Sequence, residues 1–234
     1  MTTKVKMNSN RKTAIIVGVL FLTAMVTSLI GGIWLESILN VPDYLITVSA
    51  NETQVIIGVL LEIINCAAVV GIAVMMFPIF KKYNEALALG YVGFRIIEAT
   101  ILVVAAIIPL SLIALSQEYV KAGAPDASHF QTLGTSFLAT RAHLAGLILV
   151  IFFGLGALLF YYLLYQSKLV PRFISVWGFI AIVLVFIWNL LEAFGISVSA
   201  GMILAFPMIL NEIFLGIWLI VKGFNSSAIA SESA

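Results

Sequence analysis

Charge is what this sequence has least of. Lys, Arg, Asp and Glu make up 10% of its 234 residues, against 62% hydrophobic residues. A soluble domain carries about 25% charged and about 45–50% apolar residues. That composition excludes an ordinary water-soluble globule and identifies an integral membrane protein. The single cysteine, Cys66, excludes an intramolecular disulfide. Two histidines, His129 and His143, are too few to build a His/Cys zinc cage with it. No metal site is expected, and no cofactor is indicated. Thr135, Ser136 and Ser175 lack a matching His/Asp arrangement, so no catalytic residue is assigned. Gly154-Leu-Gly156 has no preceding strand and lies in an apolar run, which excludes a nucleotide loop. The basic residues form no nucleic-acid footprint.

Long apolar runs are what the chain has in excess. They predict an all-α, polytopic transmembrane bundle of six helices. The expected helices are 13–35, 53–80, 87–115, 132–165, 170–194 and 200–221. The first run is about 23 residues, beyond a signal h-region of about 7–15 residues, and it can cross a hydrocarbon core of about 30 Å. Residues 36–51 read as a polar connection containing Pro42 and Asp43. Residues 116–131 read as a second one, with Gly123, Pro125 and Asp126 as breakers. The fourth helix would be roughly 50 Å long, so one end should project or form a separate short turn. The domain reading is a segment 1–12, a six-helix domain 13–222 and a flexible tail 223–234.

The scarce charges are unevenly placed. Lys4, Lys6, Arg11, Lys12, Lys81, Lys82, Lys168, Arg172 and Lys222 fall on the side that carries both termini. The opposite connections hold Lys121 among Glu36, Asp43, Glu52, Glu118 and Asp126. The positive-inside rule then puts both termini in the cytoplasm, in a cell-membrane protein whose first partner is the lipid bilayer. Trp34, Trp177, Tyr161, Tyr162 and Tyr165 fall near helix ends and suit interfacial belts.

The polar residues inside the spans are the candidate site. An intramembrane charge costs at least about 2.5–3.5 kcal/mol, so it faces partners or water within the protein. Helical rise places Arg95, Glu98 and Glu212 roughly 13–18 Å deep. Glu62, Arg141, His143 and Glu192 fall roughly 28–40 Å along their helices. This predicts a middle layer of Arg95, Glu98, Asn211 and Glu212. An outer layer would hold Glu62, Asn65, Arg141, His143, Asn189 and Glu192. Arg95 and Glu98 share one helix face, as do Glu62 with Asn65 and Asn189 with Glu192. Arg141 and His143 diverge by about 200°. Each layer holds one carboxylate more than its arginine can pair. Arg141 and Glu192 lie near enough to the interface to snorkel. Pro78, Pro109 and Pro207 can bend their helices. Ala67, Gly71, Ala142, Gly146, Gly154, Gly156 and Ala157 read as positions of close helix packing. The candidate ligand-binding residues are therefore Glu62, Asn65, Arg95, Glu98, His143, Asn189, Asn211 and Glu212.

The segments NRKTAIIVGVLFL, GYVGFRIIEA, LVPRFISVWGFI and PMILNEIFLGIWLIVKGF together resemble the bacterial DUF4386 family of membrane proteins, over about residues 8–224. The resemblance implies a multi-helix membrane domain. It carries over Arg95 and Glu98, Pro171 and Arg172, and Asn211 with Glu212, and it implies no activity. Three functions stay open. One is binding or transport of a small polar molecule or ion through the buried charges. Another is a non-catalytic regulator or scaffold whose ion pairs only fix packing. The third is an intramembrane lipid-modifying enzyme using Glu62, His143 and Glu192 as acid/base groups. The sequence leaves the oligomeric state open.

Overall fold

The computed structural model describes residues 9–123, 128–196, 201–225 and 228. Its elements are α1 (Ser9–Leu39), α2 (Tyr44–Ala50), α3 (Glu52–Phe80), α4 (Glu85–Lys121), α5 (Ser128–His143), α6 (Leu149–Ser167), α7 (Arg172–Ala193) and α8 (Gly201–Val221). No strand occurs among the described residues. Six helical stretches, with α5 and α6 counted as one, are long and apolar enough to cross a membrane. The predicted breakers Pro125 and Asp126 lie outside the described residues.

The long helices form a ring in chain order. Each packs on the next, from α1 through α3, α4, α6 and α7 to α8, and α8 packs back on α1. Tight connections make this order the natural one. At Lys81–Asn84, the Asn84 side chain accepts a bond from the Leu87 N–H at 3.0 Å and starts α4. At 168–171, Lys168 takes the left-handed conformation that ends α6, and Pro171 precedes α7. Arg11 closes the ring. Its guanidinium donates to the carbonyls of Leu219, Ile220 and Val221 at 3.1, 2.6 and 3.1 Å. Those are orphan acceptors at the negative end of α8, where a cation is favoured. Along the same seam Gly18 meets Gly216, and a methyl on Gly18 would stand 2.5 Å from the Gly216 carbonyl oxygen. The backbones therefore approach as close as glycine allows.

One apolar cluster fills the near end of the ring, and a second fills the far end at α1, α3 and α4. The end near the tight connections holds tilted and edge-to-face aromatics: Phe21, Phe80, Tyr91, Phe160 and Tyr161, with ring centroids 5.3–6.0 Å apart. Tyr161 is fully buried there and is not part of an interfacial belt; Tyr162 and Tyr165 do face outward. At the far end Leu35, Ile38, Leu45, Val48, Ile108 and Leu112 pack together. The expected polar connection 36–51 contains α2, whose Leu45 and Val48 dock into this cluster. A helix of seven residues has little stability of its own, so burial holds it.

The fourth span departs furthest from expectation. It is helical from Ser128 to Ser167 but interrupted by one π-helical turn, Leu144–Ile148. Gly146 leaves helical geometry there, at φ −90° and ψ −110°. The sequence reading made Gly146 a packing position. A side chain there would meet nothing within 4 Å, so the residue breaks the helix instead. Ala67 and Ala142 are likewise exposed rather than packed. Gly154 and Gly71 do make close contacts, with Phe186 and Leu20.

Candidate functional site

Between the two end clusters the ring encloses a cavity of about 310 Å³. Every long helix contributes to its wall: Met25 and Ser28 from α1, Asn65 from α3, Arg95 and Glu98 from α4, Phe153 from α6, Val185 from α7, and Met208 and Glu212 from α8. The wall is largely apolar, so the charged groups stand out.

Arg95 and Glu98 form an ion pair of 2.8 Å on one face of α4. They are 5% and 4% exposed, so the pair is held away from bulk water. The flat guanidinium lies over the Phe153 ring, 5.5 Å from its centroid. Gly156 gives the arginine stem its space: a methyl there would stand 3.1 Å from Arg95 Cδ. The pair is close but poorly aligned. Arg95 Nε has no hydrogen-bond partner among the described residues, and Glu98 Oε2 lacks hydrogen-bond geometry. A buried, unsatisfied N–H is costly.

Glu212 enters the same cavity from α8. It joins no ion pair and accepts no hydrogen bond among the described residues. Its neighbour Asn211 is fully buried and turned elsewhere. Asn211 accepts from the Tyr161 hydroxyl at 2.7 Å and donates to the Ile174 carbonyl at 3.0 Å. The middle layer is thus divided: Arg95, Glu98 and Glu212 face the cavity, and Asn211 staples three helices. Asn65, expected in the outer layer, lines the same cavity as Arg95 and Glu98.

The outer layer reduces to one latch. Arg141 forms an ion pair with Glu62 and also donates to the Ala105 carbonyl at 2.9 Å. It thereby ties α5 to α3 and α4, one turn of α3 beyond Asn65. The remaining outer residues stay apart. His143 is exposed. Asn189 donates to Val185 of its own helix at 3.0 Å. Glu192 is exposed and accepts from the Trp188 indole at 2.9 Å. The carboxylate surplus of this layer is therefore a surface residue, and His143 is not gathered with Glu62 and Glu192 into an acid/base group. Arg141, expected only to snorkel toward the interface, is the residue that sequence reasoning undervalued. Its position, matching Glu62 in depth, was the available signal.

No curated protein and no solved structure matches the chain. Residues 16–223, nearly the whole of the ring, match the sequence model of a family described as a domain of unknown function, DUF4386, and the chain belongs to that family.

Proposed function

We propose that this is a multi-pass membrane protein that binds and moves a small molecule through the central cavity. Its six spans leave both termini in the cytoplasm, with 1–12 and 223–234 as flanking segments around the domain 13–222. The observation that carries the reading is Glu212. Among the described residues it is a carboxylate without a direct partner, in a cavity whose other ionised groups, Arg95 and Glu98, are already paired. Intramembrane ionisable groups cost too much to be left so without use.

The test is ligand-induced thermal stabilisation of the purified protein in nanodiscs. The panel is small amines, carboxylates and neutral polar compounds, tried on the wild type and on Ala205→Trp, which fills the cavity. Stabilisation confined to the wild type supports the reading. The same response from both proteins would sink it.

The second reading is a regulator or scaffold with structural charges. The tight Arg95–Glu98 pair favours it, because a buried ion pair can be replaced by matched apolar residues at little cost. Under it, Arg95→Met with Glu98→Leu leaves a protein that folds and works in the cell. Loss of cellular function in a stably folded double variant argues for the first reading.

A further inference from the structure

We propose that the cavity takes a membrane-partitioned organic cation, which arrives sideways from the bilayer between α1 and α8 and sets its charge against Glu212. This rests on the cavity being a binding site, and it adds the ligand's class and route.

The route follows from where the cavity wall is exposed. The aromatic cluster around Phe160 and Tyr161 plugs the near end of the ring. The far end of α1, α3 and α4 is filled by the cluster around Leu35 and Leu112, with the Arg141–Glu62 latch beneath it. The exposed wall residues lie on α1: Ser28 and Leu29, the latter 39% exposed. They locate the mouth. The α1–α8 seam is tight at Gly18 and Gly216, whereas two to three turns further along α1 the wall passes to the cavity. A mouth on the apolar flank of a membrane helix opens on lipid. What enters from lipid has an apolar body, and the Met25, Met208 and Phe153 walls suit one.

The charge follows from the tally inside. Arg95 is already paired with Glu98, so Glu212 leaves the cavity one negative charge in excess when ionised. A cationic head on the ligand balances it, and soft sulfur and aromatic faces add to that preference.

The experiment uses two probes with the same tail and opposite heads. Decyltrimethylammonium and decyl sulfate are titrated at submicellar concentration into the full-length protein in nanodiscs. Binding is read as saturable thermal stabilisation. The wild type is expected to bind the cation and not the anion. Glu212→Gln should weaken cation binding about tenfold or more, as loss of a charged partner does. Glu212→Asp, which keeps the charge and reports on folding, should stay within a few-fold. Equal or tighter binding of decyl sulfate, or cation binding unchanged in Glu212→Gln, overturns the proposal. If the anion wins and Ser28→Trp abolishes its binding, the ligand class fails while the cavity reading stands. If binding of neither probe responds to Ser28→Trp or Ala205→Trp, both fail.

Discussion

Tyr161 and Asn211 meet where three helices touch. The Tyr161 hydroxyl on α6 donates to the Asn211 side chain on α8 at 2.7 Å, and Asn211 donates on to Ile174 of α7 at 3.0 Å. The Tyr161 ring lies against Gly178, where a side chain would collide with it. Successive helical residues point about 100° apart. Fixing Asn211 in the seam therefore turns Glu212 toward the cavity. One residue belongs to the fold and the next to the site.

That division predicts different outcomes for neighbours. Asn211→Leu removes both bonds and strands the Tyr161 hydroxyl. It should cost about 1–3 kcal/mol, at or above the usual range for interhelical bonds in membranes. Glu212→Gln should leave stability unchanged or raise it, because it removes a half-buried carboxylate that has no direct partner among the described residues. Thermal or denaturant unfolding in detergent compares the two. Equal losses would mean that Glu212 is also structural.

The Glu62–Arg141 latch makes a second prediction through Cys66. The thiol is 5% exposed and lies one turn along α3 from Glu62. A membrane-impermeant thiol reagent should label it slowly in the wild type. Arg141→Gln frees α5 from α3 and should raise the rate several-fold. Restoring an apolar match with Glu62→Leu and Arg141→Leu together should return it toward the wild-type value. Rapid labelling of the wild type would contradict the latch.

The α1–α8 seam should be intolerant of even one methyl. Gly18→Ala pushes a carbon against the Gly216 backbone oxygen, which cannot rotate away. It should destabilise by about 1–3 kcal/mol. Gly32→Ala on the same helix meets nothing within 4 Å. It should be neutral or stabilising, by up to about 1 kcal/mol of helix propensity. The pair of melting curves separates packing from propensity.

Single and double changes at the ion pair test whether Arg95 and Glu98 act together. Either single apolar substitution leaves a buried charge and should cost about 3–5 kcal/mol. Arg95→Met with Glu98→Leu should recover most of that stability and, because Glu212 stays in place, should keep stabilisation by the cationic probe. A double variant as unstable as the singles would show that the pair is not an isolated unit.

Much of this was readable in the sequence, for identifiable reasons. Helix positions follow from runs too apolar for water, and the depth of Arg95, Glu98 and Glu212 follows from helical rise alone. What depends on rotation about each axis was not readable. Asn65 and Glu62 are neighbours on α3, yet one joins the cavity and the other the latch. Asn211 and Glu212 share a depth and part in direction. Gly146 looked like Gly154 and Gly156 because composition cannot tell a packing glycine from a break. The short α2 escaped notice because it exists through burial of Leu45 and Val48, not through its own propensity.

The most direct measurement is an experimental density map of the protein in nanodiscs with decyltrimethylammonium. The account predicts density in the cavity, its head within about 4 Å of the Glu212 carboxylate, an ion-pair distance, and its tail leaving past Ser28 between α1 and α8. A cavity closed by Phe153 and Met208, with amphiphile only on the outer surface of the ring, would contradict it.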